Sequence, residues 1–266
     1  MNELEYLKRA FDKERLAHAY ILCGNDENKV QESAQEFVRY INCAKRSENS
    51  CKECESCLAI DGNRFPDLYR VAPHGTEEES QWRAEIKIGQ IRQLGMSLSR
   101  AAWNAPFQVA IVEQAHTMNV EAQSAFLKLL EEPRGPVLFL LLTKHEFVLL
   151  DTIRSRAQQL ACWNFTARPE QARSLEEFQK LQQVSLHERF VVAKELAENP
   201  SRISVELEKW LYAARAALMN TLKEKADGSS LSKMLKTVRA IQEVSAILAR
   251  TNSNARLALE RLMIEF

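Results

Sequence analysis

Glycine and proline are scarce in this chain of 266 residues, with seven of each. A β-sandwich or barrel contains many tight turns, and turns depend heavily on these two residues. The shortage excludes an all-β architecture, and no segment is repeated or of low complexity. We therefore expect helices to dominate.

Net charge and long apolar runs are also missing. The 36 basic and 36 acidic side chains balance, so no overall field attracts nucleic acid or an anionic membrane, and protein partners are favoured. The longest apolar run, VLFLLL at 137–142, is far shorter than the roughly 20 residues that cross a bilayer. The N-terminus lacks the apolar segment of a signal peptide. We expect a cytoplasmic protein.

Short apolar runs alternate with helical patterns in the first part of the chain, and the predicted strands cover 19–22, 107–113 and 137–143. Between them, apolar residues recur every three or four positions. These residues are Val30, Ala34, Phe37, Val38 and Ile41, and then Ala122, Ala125, Phe126, Leu129 and Leu130. The alternation predicts a doubly wound α/β domain with a sheet covered on both faces. After about residue 165 only helical patterns remain, with breaks at Pro200 and at DGSS, 227–230.

The segment from Gly24 to Gln31 has the position of a phosphate-binding loop, between the first strand and the first helix. A working loop places glycine amides, a lysine and a Ser or Thr around phosphates and magnesium. Here Gly24 is the one remaining glycine, Val30 stands where the lysine belongs, and Gln31 replaces the hydroxyl. A carboxylate of Asp26 or Glu27 would repel a nearby phosphate by about 1–4 kcal/mol. We expect no tight ATP binding.

Two further positions bear on ATP chemistry. Lys29, shifted by one place, could serve as the phosphate lysine, although it restores neither the glycines nor the hydroxyl. The strand at 107–113 ends in Glu113 and Gln114, where an ATPase has carboxylates that order magnesium and activate water. A glutamine cannot accept a proton as a base. Both halves of the site are therefore predicted to be degenerate.

Four of the six cysteines form a CxxxxxxxCxxCxxC pattern made of Cys43, Cys51, Cys54 and Cys57. In a reducing compartment such a cluster indicates a metal rather than disulfides. Four thiolates make a closed tetrahedral site with a structural role, which suits zinc, although an iron–sulfur cluster also uses four cysteines. The other two, Cys23 and Cys162, lie on predicted strands and are expected to be buried.

The stretch NVEAQSAFLKLLEEPRGPVLFLLLTKHEFVLLDTIRSR, 119–156, joins an AFLKLLEEP helix, a strand and an IRSR turn. This order resembles the clamp-loader subunits of bacterial DNA polymerase III, which belong to the AAA+ superfamily. Other stretches resemble the delta-prime branch, namely GNRFPDLYRVAPHG at 62–75, IKIGQIRQL at 86–94 and NSNARLALERLMIEF at 252–266. The resemblance extends from Leu16 almost to Phe266.

The resemblance implies three domains. These are an AAA+-like α/β domain at 1–163 with a zinc module at 43–57, a helical lid at 164–200, and a helical collar for oligomerisation at 201–266. It also favours zinc as the metal. The implied function is that of a non-hydrolysing stator subunit, which helps tau/gamma and delta subunits to load the sliding clamp onto primed DNA.

The residues TIRSR, 152–156, match the SRC turn of this family. The match implies that Arg156 is an arginine finger for a neighbouring subunit, with Ser155 shaping the turn, and that Ala157 replaces the usual cysteine. On their own, Arg154 and Arg156 read as surface residues in weak ion pairs. Two other functions stay open: an ATP-hydrolysing tau/gamma-type motor, and a zinc-dependent nucleic-acid-binding module on a degenerate ATPase fold.

Overall fold

The chain divides into two compact units, Met1–Asn164 and Phe165–Phe266. The computed structural model describes residues 2–74, 84–103, 105–133, 135–162, 169–223, 228–250 and 254–266. Within these ranges the first unit combines strands with helices, and the second contains helices alone.

A five-stranded parallel sheet, in the order β2-β3-β4-β1-β5, forms the centre of the first unit. Its strands are β1 (Ala19–Cys23), β2 (Leu68–Val71), β3 (Gln108–Val112), β4 (Val137–Thr143) and β5 (Gln158–Ala161). The helices of this unit are α1 (Glu3–Asp12), α2 (Glu27–Asn42), α3 (Glu55–Asp61), α4 (Ile88–Leu98), α5 (Val120–Glu131) and α6 (Asp151–Arg154).

Each face of the sheet has its own apolar layer. Alternate residues of the central strands point to opposite faces, so Tyr20 and Leu22 join one layer while Ile21 joins the other. The layer of Tyr20 includes Phe37 of α2, and the layer of Ile21 includes Phe126 of α5. Every residue of β1, β3 and β4 is buried. The predicted α/β class with a doubly covered parallel sheet is therefore confirmed.

The two edge strands of the sheet, β2 and β5, were not predicted from the apolar pattern of the sequence. The three predicted strands correspond to β1, β3 and β4. No apolar run in the sequence predicted β2 or β5. Three of the four residues of β2 are half-buried, and β5 has the sequence QQLA with exposed glutamines. Because edge strands are covered less completely, they lack an unbroken apolar run.

The second unit is built from five described helices around one apolar cluster. They are α7 (Pro169–Gln183), α8 (Leu186–Ala197), α9 (Pro200–Lys223), α10 (Gly228–Arg250) and α11 (Ala255–Ile264). The rings of Phe178 and Trp210 pack edge-on against Phe266, with centroids 5.2 and 5.6 Å away. Aromatic contacts of this geometry add to the stability from apolar burial.

The predicted breaks in the helical unit agree with the described helices. Pro200 is the first residue of α9, a position where the missing N–H removes no helical hydrogen bond. The break predicted at DGSS falls where α10 begins, although residue 227 lies outside the described residues. The predicted boundary at 163/164 also lies outside them, and the division into lid and collar stays a prediction.

None of the described helices combines the length and the apolar character that a bilayer span requires.

Candidate functional site

The turn between β1 and α2 is short. Strand β1 ends at Cys23, and α2 already begins at Glu27. Asp26 is the N-cap residue, and its side chain accepts a hydrogen bond from Lys29 N at 3.3 Å. Helix α2 therefore begins within the segment 24–31 that corresponds to a phosphate-binding loop, because Asp26 is a good capping residue and no further glycine interrupts the helix. A backbone that is already helical cannot wrap around phosphates as a glycine-rich loop does.

Val30 closes the space above Gly24. Its side chain is buried, with 2 % exposure. A Cβ atom added to Gly24 would lie 2.6 Å from Val30 Cγ2 and 2.6 Å from the carbonyl oxygen of Cys162. The remaining glycine thus permits a close approach of chain segments, and an apolar side chain fills the position of the phosphate lysine.

Lys29 does not take over the role of that lysine in this structure. It is exposed and lines a separate cavity of about 730 Å³, together with Asn2, Glu32 and Lys52. The cleft at the end of β1 has a different lining, which lacks Lys29.

The cleft at the end of β1, called the remnant cleft below, has a volume of about 200 Å³. Its lining consists of Gly24, Glu27, Asn28, Val30, Gln31, Glu113, Gln114, Leu142 and Thr143. Ligand pockets usually measure roughly 300–1,000 Å³. The cleft is therefore small for a nucleoside triphosphate.

The acidic side chains of the remnant cleft are paired with basic ones. Arg70 Nη1 lies 3.1 Å from Glu113 Oε1, and Gln31 Nε2 donates to the same oxygen at 3.3 Å. Lys144 Nζ lies 3.3 Å from Glu27 Oε1. The sequence singled out neither Arg70 nor Lys144. No signal in the sequence pointed to the first pair, because strand β2 itself was not predicted.

Polar groups at the end of β4 and just after β3 contact one another. Thr143 Oγ1 accepts a hydrogen bond from His145 N at 3.0 Å and lies 3.2 Å from His116 Nδ1. Gln114, which the sequence predicts at the position of a hydrolytic base, is exposed and has a left-handed backbone with φ of 46°. An amide at this place cannot activate water.

Arg156 lies on the surface, just after α6. Its Nη2 atom is 2.8 Å from Glu131 Oε1, and its Nη1 atom donates to Thr152 O at 3.1 Å. Ser155 Oγ also donates to Thr152 O, at 3.1 Å, and this contact closes the turn. The guanidinium is therefore exposed and held by groups of its own chain.

The neighbouring positions in this turn are more enclosed. Arg154 pairs with Asp151 at 3.0 Å and lies over the ring of Phe147, 4.6 Å from its centroid. Ala157 is buried in the apolar layer that includes Phe126. The position that holds cysteine in the family pattern thus takes a small apolar side chain here.

The four cysteines of the predicted metal site lie together. Cys43 follows the last turn of α2, Cys51 and Cys54 lie in the connecting loop, and Cys57 is in the first turn of α3. Their Sγ atoms all lie within 4.8 Å of one another. The backbone N–H groups of Cys51 and Cys54 point at the sulfurs of Cys43 and Cys51, at 3.4 and 3.3 Å. N–H groups aimed at sulfur stabilise thiolates.

This donor set fits a tetrahedral metal ion. Zinc binds thiolates at about 2.3 Å, which separates the sulfurs of a four-cysteine site by roughly 3.8 Å, and a modest contraction of the cluster reaches that spacing. The N–H of Cys57 lowers the pKa of Cys54 to about 6, whereas burial raises the pKa of Cys57 to about 12. Since a metal binds thiolates, metal binding here is coupled to proton release.

The cysteine loop is fastened to α2 by Glu36. Its carboxylate accepts hydrogen bonds from Ser50 N at 2.9 Å and Ser50 Oγ at 3.0 Å, and it pairs with Arg39 at 2.9 Å. Burial opposes its charge, but these donors outweigh the burial and lower the pKa of Glu36. Arg39 also pairs with Asp61 at the end of α3. Both ends of the module are thereby tied to the helix that follows β1.

The first unit is thus an α/β domain with a five-stranded parallel sheet and a closely packed glycine turn before α2, and it also carries a four-cysteine cluster. A family model described as "DNA polymerase III, delta subunit" matches residues 1–165. The chain belongs to this family, and the resemblance to delta-prime clamp-loader subunits is confirmed.

Individual relatives agree with this family. The chain is 29% identical to DNA polymerase III subunit delta-prime of Bacillus subtilis over 213 residues, which cover 78% of this chain and 60% of that protein. It is 32% identical to the delta-prime subunit of Pseudomonas aeruginosa over 147 residues, 55% of this chain and 43% of that protein. The chain thus spans about half the length of these relatives.

Among solved structures, a DNA polymerase III gamma subunit-related protein of Thermotoga maritima is similar to this chain. The sequence identity is 17% and the TM-score is 0.46, with 99% of this chain and 98% of that chain covered.

Proposed function

We propose that this chain is a delta-prime-like stator subunit of the DNA polymerase III clamp loader, which holds a place in the ring without hydrolysing ATP. The observation that carries the proposal is the filled phosphate position. Helix α2 starts at Glu27, Val30 covers Gly24, and the carboxylate of Glu113 already has protein partners. A ring position requires the shape of the domain and makes no demand on its nucleotide chemistry.

The partners follow from the family. The chain takes its place beside tau/gamma motor subunits and the delta subunit, and through the complex it acts on the sliding clamp and primed DNA. The helical unit supplies the oligomerisation surface, with its residues 201–266 as a collar and 164–200 as a lid. This role belongs to DNA replication in the cytoplasm.

Arg156 is the residue that this subunit contributes to chemistry. A guanidinium keeps its charge and matches the oxygens of a phosphoryl group, so it stabilises the charge that develops during phosphoryl transfer. The pair of Arg156 with Glu131 is half-exposed, and exposed pairs contribute little to stability. The arginine can therefore exchange Glu131 for the γ-phosphate of a nucleotide bound to the next subunit.

A reconstituted loader tests this role. The chain with Arg156→Ala is assembled with tau/gamma and delta subunits, and ATP turnover is compared with that of the unchanged complex. We expect turnover at the adjoining site to fall by about 10³-fold, the lower end of arginine-finger effects, while gel filtration shows an intact ring. Arg92→Ala, which removes another exposed arginine of the same unit, serves as the control and should leave turnover unchanged.

Two results contradict the assignment of Arg156. Turnover equal to that of the unchanged complex removes its part in hydrolysis. Loss of the subunit from the ring assigns Arg156 to the interface instead. If the isolated chain hydrolyses ATP by itself, it is a motor subunit and the stator proposal fails.

The cysteine cluster has a structural role in this proposal. Cys43, Cys51, Cys54 and Cys57 hold one zinc ion, leaving no position for a catalytic water. Elemental analysis of chain purified without chelators should give one zinc per chain, and Cys57→Ser should lower that content. Iron with visible absorption would indicate an iron–sulfur cluster, and absence of any metal would contradict a metal site.

A further inference from the structure

The acidic end of β3 is the position where an ATPase of this fold orders magnesium. In this chain the single carboxylate there, Glu113, contacts a cation of the protein itself. Arg70 reaches it from the adjacent strand β2, which pairs in parallel with β3. The backbone also fixes the approach, because Glu113 N donates to Val71 O at 2.8 Å.

The guanidinium of Arg70 is held on two sides. Its Nη1 atom donates to Glu113, and its Nε atom donates to Asn63 Oδ1 at 3.1 Å. Asn63 lies just after α3, the helix that carries Cys57. Arg70 thus connects the end of the cysteine module to the remnant cleft.

The same oxygen of Glu113 receives both protein donors. Arg70 Nη1 and Gln31 Nε2 approach Oε1 at 3.1 and 3.3 Å. Gln31 stands where a working loop has the hydroxyl that binds magnesium. Magnesium requires near-octahedral oxygen ligands at about 2.1 Å, so the residues present do not fit the ion.

We infer that Arg70 takes the place of the magnesium ion, with Gln31 as its companion. The guanidinium compensates the charge of Glu113 and joins β2 to β3 without any bound ligand. The side-chain amide of Gln31, which is part of α2, donates a hydrogen bond to the same oxygen of Glu113. The carboxylate of Glu113 is consequently occupied by donors of the protein itself. This inference rests on the proposed non-hydrolysing role and adds a residue-level explanation for it.

A double-mutant cycle on the whole chain tests the substitution of magnesium by Arg70. Thermal unfolding is measured for the unchanged chain, Arg70→Gln, Glu113→Gln and the double variant, each with and without millimolar magnesium. Loss of about 1 kcal/mol shifts the Tm of a domain of this size by roughly 2–4 °C. We expect a fall of that size for Arg70→Gln, because Glu113 is left without a cation, and recovery of at least half of it in the double variant.

Magnesium gives the sharper readout. It should raise the Tm of Arg70→Gln, since removal of the guanidinium leaves the carboxylate of Glu113 open to a divalent cation, and leave the unchanged chain and the double variant unaffected. Arg256→Gln, which removes an exposed pair with Glu260, is the matched control and should show neither effect.

Two results overturn the inference. One is a double variant that is no more stable than Arg70→Gln. The other is a magnesium effect of equal size in all four proteins. ATP binding, measured on the same proteins, separates this question from the proposed function. ATP binding by the unchanged chain contradicts the stator role. Failure of the double-mutant cycle contradicts only the role inferred for Arg70.

Discussion

Two arginine–glutamate pairs in the first unit differ in their surroundings. The side chains of Arg70 and Glu113 are 19% and 25% exposed, whereas those of Arg156 and Glu131 are 40% and 49% exposed. Attraction between charges strengthens as water is excluded, and exposed pairs are weak. The same pair of residue types therefore suits the two roles proposed for it, a fixed contact beside the remnant cleft and an exchangeable contact on the surface.

The positions of the pairs reinforce this contrast. Arg70 projects from a strand, and Glu113 immediately follows the next strand, so the register of the sheet sets their distance. Arg156 lies in a turn after the short helix α6, and Glu131 is the last residue of α5. A pair set by sheet register resists rearrangement, while a pair between a turn and a helix end can open with small movements.

The largest expected effect comes from overpacking the glycine turn after β1. Gly24→Ala places a methyl group 2.6 Å from the carbonyl oxygen of Cys162 and from Val30 Cγ2. Overpacking of this kind lowers the free energy of unfolding by about 1–3 kcal/mol. Chemical denaturation of the isolated chain measures the change.

Gly89→Ala provides the matched control, because a Cβ atom there meets nothing within 4 Å. Residue 89 is in the first turn of α4, and alanine is the better helix former by up to about 1 kcal/mol. We expect unchanged or slightly increased stability. If the Gly24→Ala chain is as stable as the Gly89→Ala chain, the turn after β1 accommodates a Cβ atom and the prediction is wrong.

The smallest expected effect comes from the surface pair. Glu131→Gln removes the carboxylate that holds Arg156, and loss of such an exposed pair changes the free energy of unfolding by at most about 1 kcal/mol. In the reconstituted ring, ATP turnover should be kept or raised, because Arg156 is released from its own chain. The account of an exchangeable arginine is wrong if Glu131→Gln slows turnover as much as Arg156→Ala does.

Central strands could be predicted from the sequence, and edge strands could not. Strands β1, β3 and β4 are buried on both faces, so their apolar runs are unbroken. Strands β2 and β5 are partly exposed, and their mixed composition resembles that of loops. The alternation of the predicted elements still sufficed for the fold class.

The candidate site was predictable where its residues are close in sequence. The spacing of the cysteines marks a cluster because three of the four lie within seven positions, 51–57. The ion-pair partners of Glu113 and Arg156 are 43 and 25 residues distant, so only the folded chain reveals them. The early start of α2 had a local signal, since Asp26 is a good capping residue and no glycine follows it closely.

The most direct test of the central claim is the affinity of the isolated chain for ATP with magnesium, measured by equilibrium binding. A small cleft in which Val30 covers Gly24 and the carboxylate of Glu113 is paired with Arg70 and Gln31 predicts no saturation at millimolar nucleotide. Micromolar affinity, abolished by Lys29→Ala, would contradict the account.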